Sequence, residues 1–450
     1  MKAVIYLRRN AISFNTVTSI VYARNPRNSD TGGYGHFLFL QKQGNRKGWN
    51  FVFRLFHFLT RKSPSASIVR IPLDARIMEK IIVYAFPVFA LMIFAEYGYG
   101  LATGRNTYRI NDAISNLSQG VLSQVTLVFT GIFQIGIYTL AYDKVALFHG
   151  QAWNTWYGWI AAMLLVDFCG YWHHRYSHET GILWAAHVVH HQSQDFNFST
   201  ALRQESAYPV LGWVFYLPMA VLGIPPEIFA VTGLVVLLYQ IWIHTELVGK
   251  LGWFDRVFSS PSNHRVHHAV NDNYIDRNYG GMLIIWDRLF GTFQEETEEQ
   301  CVYGIRPQLN SWDPIWANVH VYRDLVRDAW RTGNWLDRLR IWFMPPGWRP
   351  SDVRAKFPKP EFDISKVSLY DPKIGNKESW FAAIQFLGLL GASALLLWYL
   401  DELPFHLSAL SVAAISVGYW IMGRVLEGKM NLSRALLIDA IALAFSLAAL

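Results

Sequence analysis

Apolar residues run in blocks close to bilayer length, separated by short polar breaks, at 81–99, 120–142, 157–172, 209–223, 228–243, 380–400, 405–422 and 435–450. A helix crosses the hydrocarbon core with about 20 apolar residues. The pattern therefore predicts an all-α, polytopic helical membrane protein, some of whose runs are short for a full crossing. "GIPPEIF" (223–229) separates the fourth and fifth runs as a tight hairpin, because two prolines cannot continue a helix. Between 246 and 379 the chain is polar and rich in Trp, Arg and Asp, and its "PPGWRPSDVRAKFPKPEF" (345–362) reads as an extended linker. No internal repeat is visible.

Composition agrees with the pattern. Hydrophobic residues make up 52% and charged residues 16%, against about a quarter charged in ordinary soluble domains. Cys169 and Cys301 cannot build a disulfide framework and lack the spacing of a zinc knuckle. The net charge of +7 is no nucleic-acid signal, because residues 1–80 alone carry fourteen Lys/Arg against three Asp/Glu. Pattern and charge together divide the chain into a basic extension at 1–77, a membrane-embedded domain at 78–300, a cytosolic loop region at 301–378 and C-terminal transmembrane helices at 379–450.

The extension has neither a spanning segment nor a signal-peptide pattern. The segments 102–112, 246–379 and 423–434 must share one side, and the positive-inside rule makes that side the cytoplasm. The chain before residue 81 then falls outside, where its positive surplus does not belong. A start of translation at Met78 removes the conflict. The expectation is that residues 1–77 are disordered, a removable leader, or absent from the native protein.

Ten of the fifteen histidines fall between 173 and 268. They group as "HRYSH" (His174, His178), "HVVHH" (His187, His190, His191), "WIHTE" (His244) and "HRVHH" (His264, His267, His268). Helical positions i, i+3 and i+4 share a face, so each box is expected to aim two or three imidazoles at one spot. His173 lies about 100° round the helix from His174 and is read as no ligand, as are the isolated His36, His57, His149, His320 and His406. Asp167, Tyr171, His174 and His178 form one stripe at the end of the third run. An acid inside an apolar run suggests function, and the expected task of Asp167 is to accept the second ring N–H of a ligating histidine.

Nine convergent imidazoles are too many for one ion, since a closed structural site takes four ligands. Two ions with four or five nitrogens each would use them all. Imidazole suits iron, zinc and copper alike. Iron is favoured by what an open two-metal site at a lipid boundary is good for, the reductive activation of O2 against an unreactive C–H bond.

The boxes HX3H, HX2HH and HX2HH resemble those of the fatty acid hydroxylase/sterol desaturase superfamily, and most of all its alkylglycerol monooxygenase branch. The resemblance runs from "YRINDAISNLSQG" (108–120) through "WAAHVVHHQSQDFNFSTALRQ" and "PSNHRVHHAVNDNYIDRNYGGMLIIWDRLFGTF" to "YGIRPQLNSWDP", that is from 108 to 314. It implies an integral membrane di-iron enzyme that uses O2 and an external electron donor to hydroxylate a lipid carbon. In the alkylglycerol branch that carbon adjoins an ether oxygen, the hemiacetal falls apart to an aldehyde and a glycerol, and tetrahydropterin supplies the electrons.

Carried over by motif, His174, His178, His187, His190, His191, His264, His267 and His268 are metal ligands and His244 a ninth. Glu179 matches a position important for activity, where it ligates or orients a ligand or metal-bound water. Two residues depart from the pattern. His173 stands where an aromatic is usual, and Glu205 of "RQES" stands where a neutral residue is expected, which bears on headgroup preference if that segment lines the substrate path.

No Gly-rich dinucleotide fingerprint follows a strand, so the reductant comes from outside. The same superfamily also contains sterol and fatty acid desaturases and hydroxylases, and the sequence does not choose between hydroxylation and desaturation. Readings of other classes are a metal-ion transporter, whose sites tend to sit at the bilayer midplane, and a membrane-anchored zinc hydrolase. The expected location is a bacterial inner membrane or the endoplasmic reticulum, with the site facing the cytoplasm.

Overall fold

The computed structural model describes residues 75–148, 150–400 and 402–448. The basic extension up to residue 74, with His36 and His57, and also His149, lie outside them. Among the described residues the chain is helical, and its β-structure is limited to two isolated bridges. Among these residues, three helices are long and apolar enough to cross a membrane: α2 (Ile110–Val145, with a π-helical turn at Ile132–Gly136), α11 (Asn376–Trp398) and α12 (Phe405–Leu426). They are joined by α1 (Ala75–Thr103), α3 (Trp156–Glu179), which carries the third apolar run straight on through the first histidine box, and the C-terminal α13 (Leu432–Ala448).

The fourth and fifth runs depart from a simple crossing. Their helices, α5 (Tyr208–Val221) and α6 (Pro226–Tyr239), have 14 residues each, about 21 Å at 1.5 Å per residue, which is short of a hydrocarbon core of about 30 Å. The prolines end one helix and start the other as expected. Gly223 makes the turn at φ +83°, where an added Cβ would sit 1.9 Å from the Phe148 carbonyl oxygen. The pair packs on α3 and on the end of α2, where Tyr138 stacks on Phe229 at 4.2 Å and donates its hydroxyl to the Ile224 carbonyl.

Helix α2 begins before the apolar run that announced it. Its first turns bury Asp112, Ser115, Asn116, Ser118 and Gln119, a polar face that hydropathy reads as loop. Buried polar groups need partners, and here they find them in the histidine-rich region. The Asn116 amide donates to Ser193 and Ser199, and Gln119 donates to the Pro314 carbonyl. At Gly120 the helix comes so close to the Leu202 carbonyl that an added Cβ would lie 2.1 Å from its oxygen. Glu96 on α1 ties the same region down, accepting from the Tyr108 hydroxyl, the Thr245 hydroxyl and the Phe198 backbone N–H. At the far end of α12, Glu427 accepts the Trp312 N–H at 2.7 Å.

The polar region between 246 and 379 is well structured. It contains α7 (Pro261–His268), α8 (Ile285–Phe290), α9 (Pro314–Arg331) and α10 (Trp335–Arg340). The expected extended linker at 345–362 includes a helical turn and a half, Ser351–Lys356. Arg349 explains its order, because it grips Asp328 of α9 and donates to the Phe357 carbonyl.

Asp167 does not do what its position in α3 suggested. Its carboxylate accepts the backbone N–H groups of Met282 and Leu283 and the Trp286 indole N–H, at 2.8, 3.1 and 2.8 Å, and no histidine ring. The acid is buried to pin the 282–286 segment against α3. Asp167→Asn should therefore cost about 2–4 kcal/mol of stability, since one carboxylate oxygen becomes an NH2 group facing N–H donors and the remaining amide oxygen accepts without the charge. The histidine cage itself should survive. Thermal unfolding in detergent, beside metal content per folded chain, checks this; loss of metal from a protein of unchanged stability would restore the ligand-supporting role.

Candidate metal centre

The first histidine box lies on the last turns of α3. The second begins at the end of α4 (Gly181–His187) and continues into a 3-10 turn at His190–Gln192. His244 follows α6, and the third box fills α7, whose N-terminus is capped by the Ser260 hydroxyl. All nine expected ligands come together, in two sets. His174, His178, His187, His191 and His267 form one, and His190, His244, His264 and His268 form the other. Within each set the candidate ligand atoms lie within 4.8 Å of one another, and all nine residues are buried.

The division does not follow the boxes. In "HVVHH", His187 and His191 go to the set of five and His190 to the set of four. In "HRVHH", His264 and His268 go to the set of four and His267 to the set of five. Neighbouring imidazoles project about 100° apart, so one box cannot aim all of its rings at one point. An i, i+4 pair serves one set and its neighbour serves the other, with His191 stacked on His268 between the two sets at 4.3 Å.

Outer hydrogen bonds decide which nitrogen faces inward. His174, His190, His244 and His267 donate their Nδ1–H to the carbonyls of Tyr279, Arg203, Gln240 and Arg277, at 2.7–2.9 Å. A carbonyl only accepts, so Nδ1 carries the proton and each Nε2 is a bare lone pair. Burial also keeps the rings neutral, holding His190 down to about 4, His187 to about 3, and His244 well below the ordinary imidazole value. Yet the Nε2 atoms of His190 and His244 face each other at 3.2 Å. Two lone pairs at that distance repel unless a cation lies between them. Imidazole nitrogens about 2.0–2.1 Å from one ion lie about 3 Å apart at adjacent coordination positions, the spacing seen here. The Nε2 atoms of His174 and His267 are likewise buried without a partner. The donor set fits metal ions.

Other residues give this arrangement its rigidity. Glu205, buried, accepts the His187 Nδ1–H at 2.7 Å. This is the support expected of Asp167, supplied by the residue that stood out as a departure from the family pattern. Burial raises its carboxyl to about 7, with His190 pulling the other way. Arg203 is fully enclosed. Its guanidinium donates to the Val189 carbonyl, Ser115, Asn116 and Gln192, while its own carbonyl orients His190. Arg265, inside the third box, forks onto Glu296 at 2.6 and 2.7 Å. Asp287 accepts the N–H groups of Tyr279 and Gly280 and so holds the carbonyl that orients His174. The sequence assigned none of these four to this shell: Arg265 sits inside the third box, Glu205 stood out only as a departure from the family pattern, and Arg203 and Asp287 lie well away from any box.

Glu179 offers no atom to either set. It ends α3 paired with Arg175 at 2.9 Å, its side chain 38% exposed, so the role implied by resemblance has no contact here to rest on. His173 stands apart from both sets, stacked on Tyr208 at 3.9 Å and Phe215 at 4.9 Å with both ring nitrogens unpartnered. That is an aromatic's environment. His320 and His406 also lie outside both sets.

A helical membrane protein that gathers nine neutral imidazoles into two sets falls in the class of histidine-rich membrane metalloproteins. The family model for fatty acid hydroxylase matches residues 159–292, which enclose every box. Alkylglycerol monooxygenase of Homo sapiens is 38% identical over 300 residues, covering 66% of this chain and 64% of that protein. The Xenopus tropicalis enzyme is 38% identical, covering 70% and 69%, and that of Danio rerio is 35% identical, covering 85% and 86%. No solved structure matches. The chain belongs to the alkylglycerol monooxygenase family and carries a fatty acid hydroxylase match over its histidine boxes, which makes it an oxidoreductase acting on lipids.

Two substitutions test this shell. Glu205→Ala should weaken metal binding about 10–100-fold, the usual cost of removing a ligand's outer partner, with Glu205→Gln in between because its amide oxygen still accepts. Metal titration of the stripped protein reads this, and unchanged affinity would mean that packing alone orients His187. His173→Phe should keep full metal content and turnover, since it replaces two unpartnered nitrogens in an aromatic slot; loss of metal would put His173 among the ligands.

Proposed function

We propose that the protein is a di-iron oxygenase that hydroxylates the carbon beside the ether oxygen of an alkylglycerol lipid, using O2 and two electrons from an external donor. The observation that carries this reading is the facing pair of lone pairs on His190 and His244, repeated in a set of five and a set of four nitrogens. Iron at these sets would supply reductive O2 activation. One oxygen atom enters the C–H bond and the other leaves as water. The hemiacetal then breaks its carbon–oxygen bond to give a fatty aldehyde and the free glycerol.

The chain's own residues supply positions and exclusion. The Nε2 atoms of His174, His187, His190, His244 and His267 point inward because carbonyls and Glu205 hold their opposite nitrogens. Buried aromatics beside the sets, Phe196 at 5.5 Å from His244 and Tyr279 at 5.3 Å from His178, keep bulk water from the centre. Tetrahydropterin is the donor we favour, on the likeness to the alkylglycerol branch. The start of α2 and the ends of α3 and α12 all lie at the histidine end of the molecule, with the lysine- and arginine-bearing stretches 102–112 and 423–434. On the positive-inside rule we place the site at the cytoplasmic face.

The purified protein should carry close to two irons per chain and release aldehyde from 1-O-alkylglycerol only with O2 and a reductant. His178→Ala and His244→Ala, one from each set, should each lose about one metal ion and all turnover. Elemental analysis beside an aldehyde assay decides it. A single zinc, or turnover without O2, would overturn the proposal.

A further inference from the structure

Helix α9 turns an apolar stripe away from the protein. Ile315, Val319, Val326 and Trp330 stand at i, i+4, i+11 and i+15 on one face, and all four are exposed, Trp330 by 84%. The stripe continues past the turn onto Trp335, Leu336 and Leu339 of α10 and on to Phe343, which is 71% exposed. The opposite face of α9 is tied to the protein, where Gln192 donates to the Ala317 carbonyl and Asn318 to Gln119. Scattered apolar residues on a surface are ordinary; eight exposed ones aligned along successive helices mark a contact.

We propose that α9, α10 and the 341–344 turn form a collar seated in the headgroup–acyl boundary of the membrane leaflet at the histidine end, in place of an aqueous loop. Continuity with the spanning helices selects lipid as the occupant. The start of α9 lies against α12, where an added Cβ at Gly423 would sit 2.4 Å from the Trp312 carbonyl oxygen, and against Gln119 of α2. The stripe thus begins at the level of two membrane-crossing helices and runs outward from them. Its composition fits the interface, with Trp330, Trp335 and Phe343 where aromatic rings settle and arginines at 323, 327, 331, 338 and 340 within reach of phosphates.

The collar is bonded to the metal-binding layer. The carbonyls of Met344 and Trp342 accept the N–H groups of Gly181 and Ile182 at 2.9 and 2.8 Å, the first residues of α4, which ends in His187. A lipid in that leaflet is thereby held beside the helix that delivers a ligand to the set of five. The inference needs no particular substrate, so it stands or falls apart from the proposed reaction.

The test is a depth measurement on the full chain in phosphatidylcholine nanodiscs, in a Cys301→Ser background. An environment-sensitive nitrobenzoxadiazole label is placed by Trp330→Cys, Phe343→Cys or, as an aqueous reference, Glu361→Cys. Lipids bearing a nitroxide high on the acyl chain should quench the first two several-fold more than the third, with iodide showing the reverse order. Equal quenching of all three by iodide would overturn the proposal. So would protection of Trp330→Cys and Phe343→Cys from both quenchers in a particle of dimeric mass, which would assign the stripe to a second copy of the chain.

Discussion

Nine desolvated imidazoles, several with bare Nε2 lone pairs turned on one another, are the constraint the rest of the molecule answers to. Neutral rings packed this way repel through their lone pairs, and burial denies them water. The arrangement is stable only if cations collect the lone pairs and outer contacts stop the rings from rotating away. His190 and His244 show both halves at once, each with Nδ1 fixed on a main-chain carbonyl and Nε2 aimed at the other. Because carbonyls do the fixing, the site depends on backbone shape and not only on which side chains are present.

That dependence explains the buried polar residues around it. Arg203 joins α2 to the turn after the second box, through Ser115, Asn116, Gln192 and the Val189 carbonyl. Asp167 and Asp287 fix opposite ends of one segment, 279–287, whose Tyr279 carbonyl orients His174. Buried networks of this kind specify one geometry when every member is satisfied and are costly when one is lost. The acid within α3 thus braces the backbone of that segment and touches no histidine ring.

Much of this could be read along the chain, and the part that could not has a physical reason. Apolar run length placed the spanning helices, and the histidine boxes named eight residues of the two sets, with His244 added by resemblance. Hydropathy missed the first turns of α2, because Asp112, Asn116 and Gln119 are polar and yet buried. It overrated α5 and α6, because a run can be apolar through packing on neighbours without being long enough to cross. The split of the second and third boxes between two sets was hidden for a different reason. Spacing fixes which rings share a helical face, but not where the facing elements sit, and it is α7 opposite the α4 turn that draws adjacent histidines apart. Glu205 looked like a disturbance of headgroup preference because a lone acid in a sequence carries no label for its partner.

The placement of the site follows from the same constraint. Imidazoles held by main-chain carbonyls need irregular backbone, and irregular backbone is expensive among lipid tails, where carbonyls and N–H groups find no water. The centre therefore cannot sit on plain spanning helices at mid-membrane. It sits where α3 runs out of its apolar stretch and the chain is free to turn, at α4, the 190–192 turn and α7. On the proposed reaction, a substrate with a long alkyl chain has the complementary problem, its reactive carbon anchored close to a polar headgroup. Both would then meet at the membrane boundary, where a backbone requirement of the protein and a depth requirement of the lipid are satisfied by one position.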